Sequence, residues 1–168
     1  MGKCMAVGVA AGLLGMVAGQ AHAVPSSADR TFADKAAAAG MAEIQAAQLA
    51  QQRATSPQIK SFANRMVTDH TQANDQLQQI AQQENINLPE QPSPQDTADA
   101  QRLSSLNGTA FDQAYAQAQV RDHQQAVALF RQEASTGHDP ALKSYAQKTL
   151  PILRQHLQLA QSLTASGR

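Results

Sequence analysis

Ile59, Ala63, Met66, Ala73, Leu77 and Ile80 recur at alternating spacings of four and three residues, the mark of a helix that buries one seam. The gap in that series is filled by a histidine, His70. Two later stretches repeat the pattern. Ala116, Val120, Val127, Phe130 and Ala134 leave a place for His123, and Leu142, Tyr145, Thr149, Ile152, Leu159 and Leu163 leave one for His156. An earlier face, Phe32, Ala36, Ala39, Glu43, Ala46 and Ala50, carries one charge among small residues. Four amphipathic stretches without an alternating strand pattern predict an all-α chain. The alanines at successive turns predict close helix approach along that first face.

Helix boundaries follow from capping chemistry. A lead-in over 24–30 precedes a first helix at about Phe32–Thr55. Ser56-Pro57 then supplies an N-cap and a first-turn proline, starting a second helix that runs to about Asn85. The proline-rich stretch 87–95 is a linker, with a short outer helix at about Asp96–Leu106. Thr109 and Asp112 resemble a capping box for a third long helix, which Gly137 stops. Asp139-Pro140 opens the fourth, to about Leu163, with Pro151 inside it. Residues 56–67 and 139–150 are similar at an offset of 83, and both follow a cap-plus-proline start. Two helical hairpins joined by a crossover over 86–108, packed as an antiparallel four-helix bundle within 31–164, is the expected fold.

The first 23 residues read as a secretory signal: Lys3, an apolar run from Cys4 to Gly19, then Ala21-His22-Ala23. A retained membrane anchor is the alternative. Cleavage after Ala23 removes the one cysteine, so the mature chain carries no thiol chemistry despite the oxidising compartment expected for it. The whole chain balances 13 basic against 13 acidic residues, and it has no Trp and no basic tract. Nucleic acid, which asks for a positive stripe or stacking platforms, is thereby excluded as a partner.

The blocks FADKAAAAGMAEIQAAQLA, IKSFANRMVTDH, FDQAYAQAQVRDHQQAVALF and LPILRQHL resemble the bacterial family catalogued as domain of unknown function 4142, over about residues 30–163. That resemblance implies an exported protein, periplasmic or associated with the outer membrane, with a ferritin-like four-helix bundle. It implies no particular activity.

Glu43 with His70, and His123 with His156, stand level within their hairpins when counted from the turns. A carboxylate and three imidazoles converging in a bundle would suit Zn, Cu or Fe. Asp69 and Asp122 precede two of the histidines and would act through them; Met66, one turn from His70, would favour copper. The Glu-x-x-His pairs of di-iron bundles are missing, since Val67 and Leu153 stand at those places. A buried Glu–His hydrogen-bond network that sets helix register is the competing reading. Neither a nucleophile with an adjacent base nor a phosphate-cradling glycine loop is evident. A non-enzymatic envelope protein that binds a transition metal, an envelope partner or a second copy of itself is therefore expected, with a metal-dependent redox enzyme as the alternative. Intact mass of the exported protein is expected to place its N-terminus at Val24; a retained 1–23 segment in the membrane fraction would overturn the cleavage.

Overall fold

The computed structural model describes residues 24–166, so the signal reading of residues 1–23 lies outside the described residues. Five helices follow one another: α1 Ser27–Arg53, α2 Pro57–Gln83, α3 Pro94–Ser104, α4 Gly108–Thr136 and α5 Pro140–Ser166. No strand occurs among the described residues, and no helix there is long and apolar enough to cross a membrane.

Helix α3 runs two residues earlier than expected at each end, and three other boundaries shift for capping reasons. The lead-in is shorter than 24–30, because Ser26 caps α1. Its side chain accepts from the Asp29 N–H while Asp29 accepts the Ser26 N–H at 2.7 Å, a reciprocal box that starts the helix at Ser27. Helix α2 stops at Gln83 because Asn85 takes a left-handed φ of 54°, and the Ile86 N–H returns to the Ala81 carbonyl. The Thr109–Asp112 box does not form. Helix α4 begins at Gly108 with φ 58°, and its N-cap Asn107 makes no side-chain capping bond, its Oδ1 accepting instead from Arg53. Ser56 and Asp139 do cap α2 and α5 as the sequence predicts.

Asp112 serves a different helix. Its carboxylate accepts from the Thr55 N–H, the Thr55 hydroxyl at 2.6 Å and the Ser56 N–H at 2.9 Å, so the N-terminal part of α4 fastens the α1–α2 turn. At the opposite end Asp29 in α1 accepts from the His138 N–H at 2.9 Å and fastens the α4–α5 turn. Burial alone would raise the Asp29 carboxyl, but the Ser26 hydroxyl and the His138, Ser26 and Asp139 backbone N–H groups outweigh it and hold the pKa at about 2.

These contacts set the hairpins with their turns at opposite ends. Helix α1 packs on α2 and α4, and α5 packs on α4 and α2. The crossover must therefore run the bundle's length, roughly 40 Å for 27 residues at 1.5 Å each, and α3 lies along it against α1 and α4. The repeat noted at an offset of 83 extends to Asp29 and Asp112, and to Phe32 and Tyr115. Its three-dimensional counterpart is a pair of matched aromatic contacts. Phe32 meets Tyr145 at 6.3 Å, and Tyr115 meets Phe62 at 6.3 Å, both edge-to-face.

Two apolar clusters fill the ends of the bundle. One gathers Phe32, Leu77, Phe130, Leu142 and Tyr145; the other gathers Phe62, Met66, Phe111 and Tyr115. Several seams turn by one residue from the sequence expectation. On α5, Ile152 is 42% exposed and Leu153 is buried, because the exposed ring of Pro151 takes the outward face beside it. On α4, Gln119 is buried where Val120 was expected. On α1, Ala39 is exposed and Ala46 half-buried, so the interface runs instead through Ala33, Ala36, Ala37, Ala47 and Ala50. Gly40 is the tight point: a Cβ there would run into the Asn74 side chain on α2.

The two turn fasteners are testable. Asp112→Ala leaves the Thr55 and Ser56 donors unsatisfied and is expected to cost about 1–3 kcal/mol in urea or thermal unfolding. Because the Asp29 pKa is depressed, its contribution is present above the unfolded value near 3.8 and is lost as pH falls through about 2. Asp29→Asn is therefore expected to flatten the acid limb of stability in that window.

Candidate metal centre

His70 is the middle residue of α2, and His123 and His156 stand near the middle of α4 and α5. Each replaces a core residue on an inward face, so the three imidazoles meet between the two apolar clusters. Their ring centroids are 5.6 Å (His70–His123), 5.5 Å (His70–His156) and 5.3 Å (His123–His156) apart. All three are buried, at 7%, 1% and 1% exposure respectively.

Hydrogen bonding assigns the ring protons of two of them. His123 Nδ1 lies 2.9 Å from the Gln119 carbonyl oxygen, an acceptor, so Nδ1 donates and Nε2 keeps the lone pair. His156 Nε2 donates to Asp69 Oδ2 at 2.8 Å, leaving the lone pair on Nδ1. The buried ring nitrogens left without a partner are one per residue: His70 Nε2, His123 Nε2 and His156 Nδ1. One nitrogen from each ring lies within 4.8 Å of the other two. Around a trigonal ion at about 2.0 Å, the nitrogens would stand roughly 3.5 Å apart. A bound ion would draw the set in to that spacing, and the Asp69 carboxylate and the Gln119 carbonyl hold two of the rings from behind.

The electrostatics keep the rings neutral. Burial lowers the His70 pKa to about 3, helped by His123 and His156. Burial lowers His123 to about 4 against its bond to Gln119, and lowers His156 to about 4 against its bond to Asp69. Burial would raise Asp69, but its bonds from His156 and Arg65 hold it below the ordinary carboxylate value, and Arg65 Nε stands 3.1 Å from the same oxygen. Neutral imidazoles with free lone pairs are what a metal needs, and no proton has to be displaced near neutral pH.

The structure brings together three of the four residues that the sequence singled out. Glu43 stands to one side. Its Oε2 accepts from Gln119 Nε2 at 2.6 Å, and its Oε1 lies 3.6 Å from His123 Nδ1, the nitrogen already engaged with the Gln119 carbonyl. Burial raises the Glu43 pKa to about 7 in spite of the Gln119 bond. With His123 neutral the pair is no salt bridge, and at 3.6 Å it is no hydrogen bond. Glu43 thus braces Gln119 and faces the back of His123. Asp122, the other acid placed beside a histidine, makes no bond to the cluster; burial first, and Glu43 next, push its pKa to about 7. Met66 is fully buried one turn from His70. Gln119 was missed by sequence reasoning, and its one signal was its place a turn before His123 on the same face.

A cleft of about 900 Å³ opens between α1 and α4 beneath α3. Glu43, His70 and His123 line it at its deep side, whereas His156 does not.

The family's sequence profile matches residues 15–163, which is most of the chain. This protein belongs to the domain of unknown function 4142 (DUF4142) family. No curated protein matches the sequence. Among solved structures it is similar to a DUF305 fragment from Deinococcus radiodurans, at TM-score 0.76 and 14% identity over 86% of this chain and 99% of that one. A DUF305 protein from Streptomyces coelicolor gives TM-score 0.72 and 14% identity, with 84% and 94% covered. CopM in its Cu(I)-bound form gives 0.67 and 16%, with 82% and 96% covered. At these identities the likeness is one of helical fold.

The shifted groups make stability depend on pH from both sides. Imidazoles with depressed pKa values contribute stability above the unfolded value of 6.5, and it is lost as pH falls toward about 4 and then 3. Glu43, with a raised pKa, contributes stability below 4.5 that is lost as pH rises through about 7. In metal-free protein, His70→Leu is expected to flatten the acid limb of the urea midpoint against pH, and Glu43→Gln the limb between 4.5 and 7. Identical profiles for wild type and both variants would show these groups to be unperturbed.

Proposed function

We propose that this protein is an exported, non-enzymatic metal-binding protein of the cell envelope that holds one Cu(I) ion between His70, His123 and His156. The supporting observation is the three buried, neutral imidazoles, each with one unpartnered ring nitrogen, grouped within 4.8 Å. The chemistry of the donor set favours copper in its lower oxidation state. Three uncharged nitrogens without a carboxylate among them leave the charge of a buried divalent ion less offset than that of a monovalent one, and desolvation cost rises steeply with ionic charge. Cu(I) also accepts three-coordinate nitrogen sites and soft donors, and Met66 brings a buried thioether to the same face of α2. Iron would call for carboxylate ligands, and Glu43 is turned toward Gln119. CopM, similar in fold, has been described with Cu(I) bound. The four long helices, two hairpins with a crossover along the bundle, are read here as a ferritin-like arrangement. A metal-dependent redox reaction is the second reading, favoured by the cleft that reaches His70 and His123.

Anaerobic titration of the mature protein against a chromophoric Cu(I) chelator tests the assignment. One Cu(I) per chain is expected, and each single His→Ala change is expected to weaken binding about a hundredfold, the equivalent of about 2.7 kcal/mol at 1.36 kcal/mol per decade. Met66→Leu, nearly equal in volume, is expected to weaken Cu(I) more than Zn(II). Failure to retain Cu(I), or undiminished binding by all three histidine variants, would overturn the reading.

A further inference from the structure

The α1–α4 cleft has a wall of very small side chains. Helix α1 presents Ala39, Ala42 and Ala46 to it, and α4 presents Ala114, Ala118 and Ala126. Larger residues at these places would have closed the space, as the aromatic residues close the two ends of the bundle. Over it lies α3, of which Leu103 is the one buried side chain. The volume of about 900 Å³ is some thirty times the roughly 30 Å³ of a water molecule. A copper ion by itself does not need such room.

What does need it is the manner in which a buried ion can move. A bare cation cannot cross an apolar interior, because stripping its ligands costs several kcal/mol even after relaxation. The ion has to pass from one donor to another, and the incoming or leaving donor needs a seat beside the protein ligands. The three histidines are unequal in this respect. His156 is tied to Asp69, with Arg65 and Gln155 bonded behind it, and it does not line the cleft. His70 and His123 do.

Resting on the Cu(I) assignment, we propose that the α1–α4 cleft seats a small copper-carrying molecule, an uncharged compound with a thiol or imidazole donor, from which copper passes to His70 and His123 by ligand exchange. Copper stays Cu(I) throughout. The bond from the carrier's donor breaks as bonds from the histidine nitrogens form, and a departing thiolate takes up a proton from solvent. The alanine walls suit a small uncharged body beside the two histidines. Reversal of the same exchange releases the ion.

The test uses the Cu(I)-loaded mature protein and dithiothreitol, a small neutral dithiol, in stopped-flow transfer measurements, with bicinchoninate as the bulky anionic comparison. Ala39→Leu adds volume to the cleft at an exposed position, and Ala118→Leu does so from the opposite wall, so that loss of folding in one variant leaves the other. Transfer to dithiothreitol is expected to saturate with its concentration in the wild type and to slow about tenfold in the leucine variants, a barrier change of about 1.4 kcal/mol, with equilibrium Cu(I) affinity retained. Variants that bind copper as tightly and release it to dithiothreitol as fast as the wild type would overturn the cleft's role while leaving the metal site standing. A wild type that takes up no Cu(I) would instead remove the metal assignment itself.

Discussion

The relative placement of the two hairpins rests on two carboxylates. Asp112 gathers the Thr55 and Ser56 donors at one end of the bundle, and Asp29 gathers the His138 N–H at the other. Each stands near the start of one hairpin and completes the turn of the other hairpin. Apolar packing alone would tolerate a helix sliding by a turn, since one alanine or leucine layer resembles the next. A carboxylate that must find particular N–H groups does not tolerate it, because a slip leaves several polar groups unsatisfied at once. Fastened at both ends, the hairpins meet with His70, His123 and His156 at mid-height. The histidine cluster inherits its geometry from contacts made about half a bundle length away.

Between the apolar clusters the chain accepts a costly arrangement. Three imidazoles are buried with one ring nitrogen each unpartnered, Glu43 is buried with its pKa raised to about 7, and unpartnered atoms remain on Gln119 and Tyr115 as well. Native interiors leave few such groups, and each asks for a reason. A buried network serving register alone would be expected to close its own bonds, as Asp29 and Asp112 do. Here the free valences are concentrated on histidines that face one another, which is the arrangement a bound ion would complete.

Much of this was legible in the sequence. The 3.5-residue seams, the Ser56-Pro57 and Asp139-Pro140 starts and the offset repeat identified four long helices in two hairpins. The three histidines declared themselves as polar residues in apolar series. The rest depended on information that local pattern does not carry. Counting outward from the turns could level residues within a hairpin, but it could not show that the two turns lie at opposite ends, because Asp112 looked like a cap for its own helix. One-residue rotations of the α1, α4 and α5 faces followed from partners distant in sequence. Gln119 is buried because Glu43 receives it, and Ala39 is exposed because α4 stands away from α1 there. Glu43, level with His70 by count, is turned to Gln119 and lies outside the histidine group.

The internal repeat separates scaffold from site. Residues 83 apart do equivalent structural work: Asp29 and Asp112 fasten turns, Phe32 and Tyr115 make matched aromatic contacts, and Phe62 and Tyr145 receive them. Carried to the centre, the correspondence fails at every polar position. The counterpart of His70 is the core residue Leu153, and that of His123 is Gly40, pressed against Asn74. His156 answers to Ala73 and Glu43 to Ala126, both on the cleft wall. A symmetric centre would have offered either no donors or twice as many, crowding ionisable groups into one interior. Breaking the repeat at these four places groups three imidazoles without a symmetry-related second set, and puts Gly40, Ala73 and Ala126 on the cleft lining. The small residues leave the cleft open, and His70 and His123 stand on its lining.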